Sequence, residues 1–256
     1  MAIPEITRIS EAIKEVMYPL ADSDEALDPL MERIGDARFV LLGEASHGTS
    51  EYYRWRTRIT RRLILEKGVN FIGVEGDWPD CYRVNRYVKG YQNAGESARE
   101  VLHAFDRWPT WMWANWEIVA LAEWLRKHNA HQSAENKVGF YGLDMYSLWE
   151  SIEAIMGYLQ ENEGEEAQQA AQLALRCFQP YNKHPQNYAY AVAFAPKTCQ
   201  DAVVDLLVTM RKKTAPYDGD REATFSADQN ALVAVNAERY YRAMIRGGKE
   251  TWNNPR

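Results

Sequence analysis

The sequence predicts an α/β fold with a mostly parallel central sheet, helices on both faces, and a large helical layer added to it. Three apolar runs, residues 39–44, 71–75 and 138–144, each end in an acidic residue and lack polar alternation. Such runs are typical of strands that are buried on both faces. Stretches with apolar residues three and four positions apart separate the runs, as in amphipathic helices. Strands that alternate with helices favour a parallel sheet.

Residues 39–75 are predicted to form a strand–helix–strand unit. The apolar face of its connecting helix is predicted to contain Tyr52, Trp55, Ile59 and Leu63. Because such a crossover is right-handed and joins parallel strands, Glu44 and Glu75 should end at the same edge of the sheet. The third run ends in Asp144, so we expect three carboxylates at one crevice.

The helical layer is predicted to come from residues 78–130 and 147–246, where helical periodicity recurs. Two earlier helices, residues 9–20 and 26–34, are expected to pack on the sheet. Residues 179–196 contain three prolines and are predicted to form a surface loop that covers the crevice, and Ser226 is predicted to cap the last helix. All these elements are expected to form one domain, residues 1–256.

The composition of the chain argues against several classes of protein. The chain has 256 residues, 46% of them hydrophobic, and a formal net charge of −6, which argues against a nucleic-acid partner. It contains neither a signal-peptide pattern nor an apolar segment of membrane-spanning length, so we expect a cytoplasmic protein without a membrane partner. The three cysteines, Cys81, Cys177 and Cys199, are far apart and are predicted to be reduced.

The strongest candidate for chemistry is His47, just after the first apolar run. Glu44 lies three residues before it, and the predicted crossover brings Glu75 near. A carboxylate at one imidazole nitrogen fixes the tautomer and makes the other nitrogen a better base for water. Spacing alone does not choose Arg56 among the five arginines of the connecting helix. A Mn, Fe or Zn site made of Glu44, His47, Glu75 and Asp144 is the alternative to a site without metal or cofactor, which we favour.

Residues 107–116 contain four of the nine tryptophans of the chain. Such a cluster forms either the seam between a helical layer and a sheet or the wall of a ligand pocket. The seam is the commoner arrangement. Trp111 and Trp113, together with Asp144, are nevertheless candidate substrate contacts.

Four segments in order resemble the erythromycin esterase family: GEASHGT at residues 43–49, GVEGDW at 73–78, WPTWMW at 108–113 and FYGLDMYS at 140–147. The resemblance implies hydrolysis of an ester or macrolide lactone by water, with no required metal or cofactor, and a role in antibiotic inactivation. Matched motif to motif, it implies His47 as the general base, Glu44 and Glu75 as its acidic neighbours, and Arg56 as the arginine of the site.

The sequence departs from the family pattern at its end. The family has a second essential histidine in a later strand-end segment, and the chain ends at residues 252–256 (WNNPR) without one. We therefore expect the chain to correspond to the front part of a family member. The alternative to a hydrolase is a catalytically incomplete member that binds a small molecule, or a fragment without function. The sequence predicts no particular oligomeric state.

Overall fold

A computed structural model describes residues 3–107, 109–161, 165–181, 184–194, 198–213 and 220–246. Trp108 and the last residues, 247–256, therefore lie outside the described part. The helices are α1 (Ile3–Val16), α2 (Asp28–Ile34), α3 (Ser50–Lys67), α4 (Trp78–Lys89), α5 (Ala98–His103), α6 (Trp116–Asn129), α7 (Leu148–Glu161), α8 (Glu165–Phe178), α9 (Pro185–Phe194), α10 (Gln200–Lys213) and α11 (Arg221–Arg246). The strands are β1 (Phe71–Asp77) and β2 (Gly139–Asp144).

The two strands form a small parallel sheet in which Phe71 pairs with Gly139 and Asp77 with Asp144. The chain thus has the predicted α/β class with a large helical part. Helices α4, α5 and α6 connect the strands, which is the crossover that parallel pairing requires. Because parallel strands end at the same edge, the acids near the ends of β1 and β2, Glu75, Asp77 and Asp144, are close enough for their charges to interact.

The predicted strand at residues 39–44 is wrong. This segment forms no ladder with any residue that the structure describes, and Phe39 and Leu41 are 85% and 94% exposed. Val40 and Leu42 are partly buried, so exposure alternates along the segment as in an extended chain, and the side chains on one side of it are exposed to solvent. An apolar run indicates burial only where neighbours cover both faces. Here the described residues supply no neighbouring strand, and Glu44 lies in a loop.

The two predicted helical portions form two separate cores. Side chains of α3 to α6 pack with β1 and β2 in one, and α7 to α11 pack among themselves in the other. A buried polar network joins the two: Lys89 of α4 donates to both carboxylate oxygens of Glu222 on α11, at 2.9 and 2.8 Å, and Tyr141 of β2 donates to Glu222 at 2.8 Å. The connection between the two cores therefore includes charges that are paired in the folded state, beside the edge-to-face packing of Trp78 on Phe225.

Three predictions about helices need correction. Residues 185–194 form α9, whose Tyr188 is fully buried. The three prolines allow this helix because Pro180 precedes it, Pro185 is its first residue and Pro196 follows its last residue in the sequence. Helix α11 begins at Arg221, with Asp220 accepting hydrogen bonds from the backbone amides of residues 222 and 223; Ser226 is buried within the helix. The apolar face of α1 is exposed rather than packed on the sheet.

The prediction of three reduced cysteines is also wrong. Cys177, at the end of α8, and Cys199, just before α10, form a disulfide with their Cα atoms 5.8 Å apart, while Cys81 is free and buried. The pairing follows from helix packing, because α8 and α10 lie side by side although the cysteines are 22 residues apart. No helix in the described ranges has the length and apolar character needed to cross a membrane.

Candidate active site

The loop before α3 brings Glu44 and His47 together. His47 Nδ1 lies 2.6 Å from Glu44 Oε1, a hydrogen bond in which the imidazole N–H donates to the carboxylate. Gly48 makes the turn with a φ of 79°, and a Cβ at that position would lie only 2.8 Å from the ring of Trp111. The sequence His-Gly therefore allows the loop to fold tightly beneath Trp111.

Arg56, on the second turn of α3, is the third member of the cluster and pairs with Glu44. Its Nη1 lies 2.9 Å from Glu44 Oε2, so the carboxylate has the imidazole at one oxygen and the guanidinium at the other. The side chain of Glu44 is only 11% exposed, and a carboxylate buried to this degree needs a compensating charge. The guanidinium also lies over the rings of Tyr53 and Trp113, at 4.7 and 5.5 Å from their centroids.

This geometry is suited to general-base chemistry. A hydrogen bond from Nδ1–H to Glu44 leaves Nε2 as the acceptor of the neutral ring. The His47 side chain is 45% exposed, so solvent reaches the ring. The arrangement can take a proton from water and hold the resulting imidazolium against a carboxylate.

Glu75 is not in direct contact with His47. Its side chain is exposed, and its carboxylate makes no hydrogen bond or ion pair with the residues described. Its backbone carbonyl accepts a 2.6 Å hydrogen bond from Trp113 Nε1, and the same indole lies beneath Arg56. The end of β1 and the Glu44–Arg56 pair therefore share one supporting side chain, and the Glu75 carboxylate forms no ion pair with His47.

Asp144 lies with other acids at the edge of the sheet. Burial and, after it, the charges of Asp77 and Glu75 together raise the pKa of its carboxyl to about 6, against the opposing charge of Arg107. Arg107 forms an ion pair with Asp77. The side chain of Asp144 can therefore carry a proton near neutral pH, which would let it donate a hydrogen bond to a substrate oxygen. Within the described ranges, no three His, Cys, Asp or Glu side chains are grouped as metal ligands.

The two tryptophans that were candidate substrate contacts occupy different environments. Trp113 is 8% exposed, and its ring packs edge to face with Tyr53 and Phe140, as expected for the seam between helices and sheet. Trp111 is 45% exposed and lies against Gly48, next to His47. Of the two, Trp111 is placed to form a wall beside His47.

Tyr53 is the residue of the site that the sequence did not single out. The predicted apolar face of α3 contained Tyr52, but the structure exposes Tyr52 and buries Tyr53. Burial raises the pKa of the Tyr53 phenol; the Gly48 amide lowers it, Glu44 raises it and Arg56 lowers it. Among the residues that the structure describes, the hydroxyl nevertheless has no aligned hydrogen-bond partner. The sequence did contain a signal for Tyr53. It lies three residues before Arg56, and residues three apart are neighbours on one face of a helix.

The comparisons with known proteins decide the family. The family model described as erythromycin esterase matches residues 64–256, about three quarters of the chain. The chain belongs to the erythromycin esterase family. The matched range includes Glu75 and Asp144, whereas Glu44, His47 and Arg56 precede it.

One curated protein and two solved structures are similar to the chain. Over 135 residues, 52% of the chain, it is 28% identical to erythromycin esterase type II of Escherichia coli, of which the match covers 30%. Crystal structures of a succinoglycan biosynthesis protein and of a Bacillus cereus protein superpose with TM-scores of 0.64 and 0.65, at 22% and 20% identity. Each superposition covers 92% of this chain and 57% of the other. The chain therefore has the same fold as these proteins, and it spans little more than half of their length.

Proposed function

We propose that this chain hydrolyses a small-molecule ester or lactone, with His47 as the general base. The observation that supports this most strongly is the 2.6 Å hydrogen bond from His47 Nδ1 to Glu44, whose other oxygen is paired with Arg56. Membership of the erythromycin esterase family favours the same reaction class. Because one relative is named erythromycin esterase type II, a macrolide lactone is the first substrate to examine.

The proposed reaction begins when His47 Nε2 accepts a proton from water as the water oxygen attacks the carbonyl carbon. The carbonyl π electrons move to the oxygen, and the imidazolium is stabilised by Glu44. The tetrahedral intermediate collapses as the bond from carbon to the alkoxide oxygen breaks, and His47 returns its proton to that oxygen. The products are a carboxylic acid and an alcohol, so no redox partner is needed.

Other residues have supporting roles in this proposal. Arg56 pairs with Glu44 and holds it in place, so that Glu44 can orient the imidazole. Trp111, exposed beside Gly48, is proposed to pack against the apolar part of the substrate. Asp144 and Glu75, at the nearby sheet edge, are proposed to bind the polar groups of the substrate, Asp144 as a hydrogen-bond donor when it is protonated.

The test is turnover of a panel of macrolide lactones, simple lactones and aryl esters by the purified chain and by His47→Ala. We expect hydrolysis of at least one class by the parent, and a loss of about 10²-fold or more in kcat/KM in the variant. His103→Ala, a change at an exposed histidine on α5, is the matched control and should leave turnover unchanged. A His47→Ala protein as active as the parent would exclude His47 as the base.

The second candidate function is binding of the same class of ligand without turnover. It is favoured by one observation: the carboxylate of Glu75 does not contact His47. Under this alternative, ligands from the panel would raise the melting temperature, while the products would be absent after long incubation. Thermal shift and product analysis on the same samples separate the two functions.

A further inference from the structure

Trp113 connects the end of strand β1 to the ion pair that orients His47. Its Nε1–H donates to the Glu75 carbonyl oxygen at 2.6 Å, and the Arg56 guanidinium lies 5.5 Å from its ring centroid. Arg56 in turn pairs with Glu44, and Glu44 with His47. Each step in this series is a direct contact.

The indole of Trp113 is held in place by the residues that pack around it. Its ring meets Phe140 of β2 at 5.8 Å and 80°, and Tyr53 of α3 at 6.4 Å and 88°. Gly76 leaves the space for it, because a Cβ there would lie 3.3 Å from Trp113 Nε1 and 2.9 Å from the sulfur of Cys81. A side chain held on these sides supports the site from within the core and has little surface left for a substrate.

We propose that Trp113 is a positioning residue: it fixes the plane of the Arg56 guanidinium against the sheet, and thereby the orientation of Glu44 and of the His47 imidazole. Arginine has several freely rotating bonds, and a flat aromatic face restricts the orientations in which its planar group makes a good contact. The hydrogen bond to the Glu75 carbonyl prevents the indole from turning away. The effect of this positioning on rate rests on the proposed function, whereas its effect on the hydrogen bond of His47 does not.

The first test is therefore independent of turnover. The Nδ1 proton of His47, shared with a carboxylate oxygen 2.6 Å away, should give a downfield proton NMR signal that is absent in His47→Ala. Trp113→Phe keeps an aromatic face and should keep the signal with a changed shift, while Trp113→Leu should lose it through faster exchange with water. The exposed Trp116, changed to Leu, is the matched control and should leave the signal as in the parent. A parent-like signal in Trp113→Leu, or no such signal in the parent, overturns the proposal.

The second test applies to the hydrolysis itself. Trp113→Leu should lower kcat by about 10- to 100-fold with little change in KM, since misorientation of the base affects the chemical step rather than binding. Trp113→Phe should lie between the parent and Trp113→Leu, and circular dichroism should show that both variants are folded. Loss confined to KM, or equal rates in the parent and the folded Leu variant, would overturn the role of Trp113. A parent without turnover but with the NMR behaviour above would refute the hydrolase and leave the positioning role intact.

Discussion

Breaking the pair between Lys89 and Glu222 should destabilise the whole chain, because this pair joins its two cores. The Lys89 and Glu222 side chains are 10% and 16% exposed, and Glu222 also accepts hydrogen bonds from Tyr141 and Asn85. Removing one partner of a buried ion pair leaves the other charge uncompensated and costs about 3–5 kcal/mol. Glu222→Gln keeps the shape and one acceptor, so we expect the lower part of that range, about 3 kcal/mol.

Urea unfolding at pH 7 of the parent, Glu222→Gln, Lys89→Met and the double variant measures this cost. The double variant should be less destabilised than the sum of the single changes, with a coupling of about 1–3 kcal/mol, because it leaves no unpaired charge. Asp22→Asn, in an ion pair with Arg58 where Asp22 is largely exposed, is the control and should cost less than about 1 kcal/mol. Additive single changes, or a Glu222→Gln cost as small as that of the control, would refute the reasoning.

The Lys89–Glu222 pair also predicts how the free energy of unfolding changes with pH. Burial raises the pKa of Glu222, but the hydrogen bonds from Lys89, Tyr141 and Asn85 outweigh it and hold the pKa below its usual value. Its contribution to stability is therefore present above the pKa of the unfolded chain and is lost as the pH falls through the lower folded-state pKa. The difference in unfolding free energy between the parent and Glu222→Gln should shrink in acid. A constant difference from pH 7 to pH 3 would contradict this.

Three further changes have defined outcomes. Tyr53→Phe should leave the free energy of unfolding unchanged or raise it by up to about 2 kcal/mol, because the buried phenol has no aligned hydrogen-bond partner in the described ranges; a large loss in urea unfolding would show a partner in solution. Replacing Cys177 and Cys199 together by Ser should lower stability by about 2–4 kcal/mol, as expected for a loop closed over 22 residues; equal unfolding of the parent with and without reductant would contradict the disulfide. Burial raises the pKa of Asp80 from 3.8 to about 6, so the folded chain binds more protons than the unfolded one in this window and loses stability as the pH rises through it. Asp80→Asn should accordingly be more stable than the parent by about 1–3 kcal/mol at pH 7, and this advantage should disappear below pH 4 in urea unfolding.

Much of the fold could be predicted from periodicity. The strands β1 and β2 and the acids near their ends were predicted from apolar runs, and α8 lies within the helical stretch predicted for residues 147–246. The same pattern gave a wrong prediction at residues 39–44, because an apolar run indicates a tendency to be buried but does not show whether a neighbouring strand exists. The disulfide between Cys177 and Cys199 depends on how α8 and α10 pack, which local sequence does not specify.

The candidate site was predictable where its residues are neighbours in sequence. Glu44 and His47 are three residues apart in one loop, and the structure joins them by a hydrogen bond. Arg56 was selected among five arginines by family resemblance, since spacing does not show which one faces the loop. Tyr53 was missed because a rotation of α3 by one residue exchanges it with Tyr52. The proposed role of Trp113 rests on its contacts with Glu75 of β1 and Arg56 of α3, which lie far from it in sequence and meet only in the folded chain.

The central claim is that His47 accepts the proton of the attacking water, and chemical rescue of His47→Ala tests it most directly. Hydrolysis of the best substrate in the panel is measured for the variant as free imidazole is added at neutral pH. We predict that the variant is inactive alone and that imidazole restores part of the parent turnover, in proportion to the concentration of its neutral form. Parent-like activity of His47→Ala without imidazole would contradict the claim.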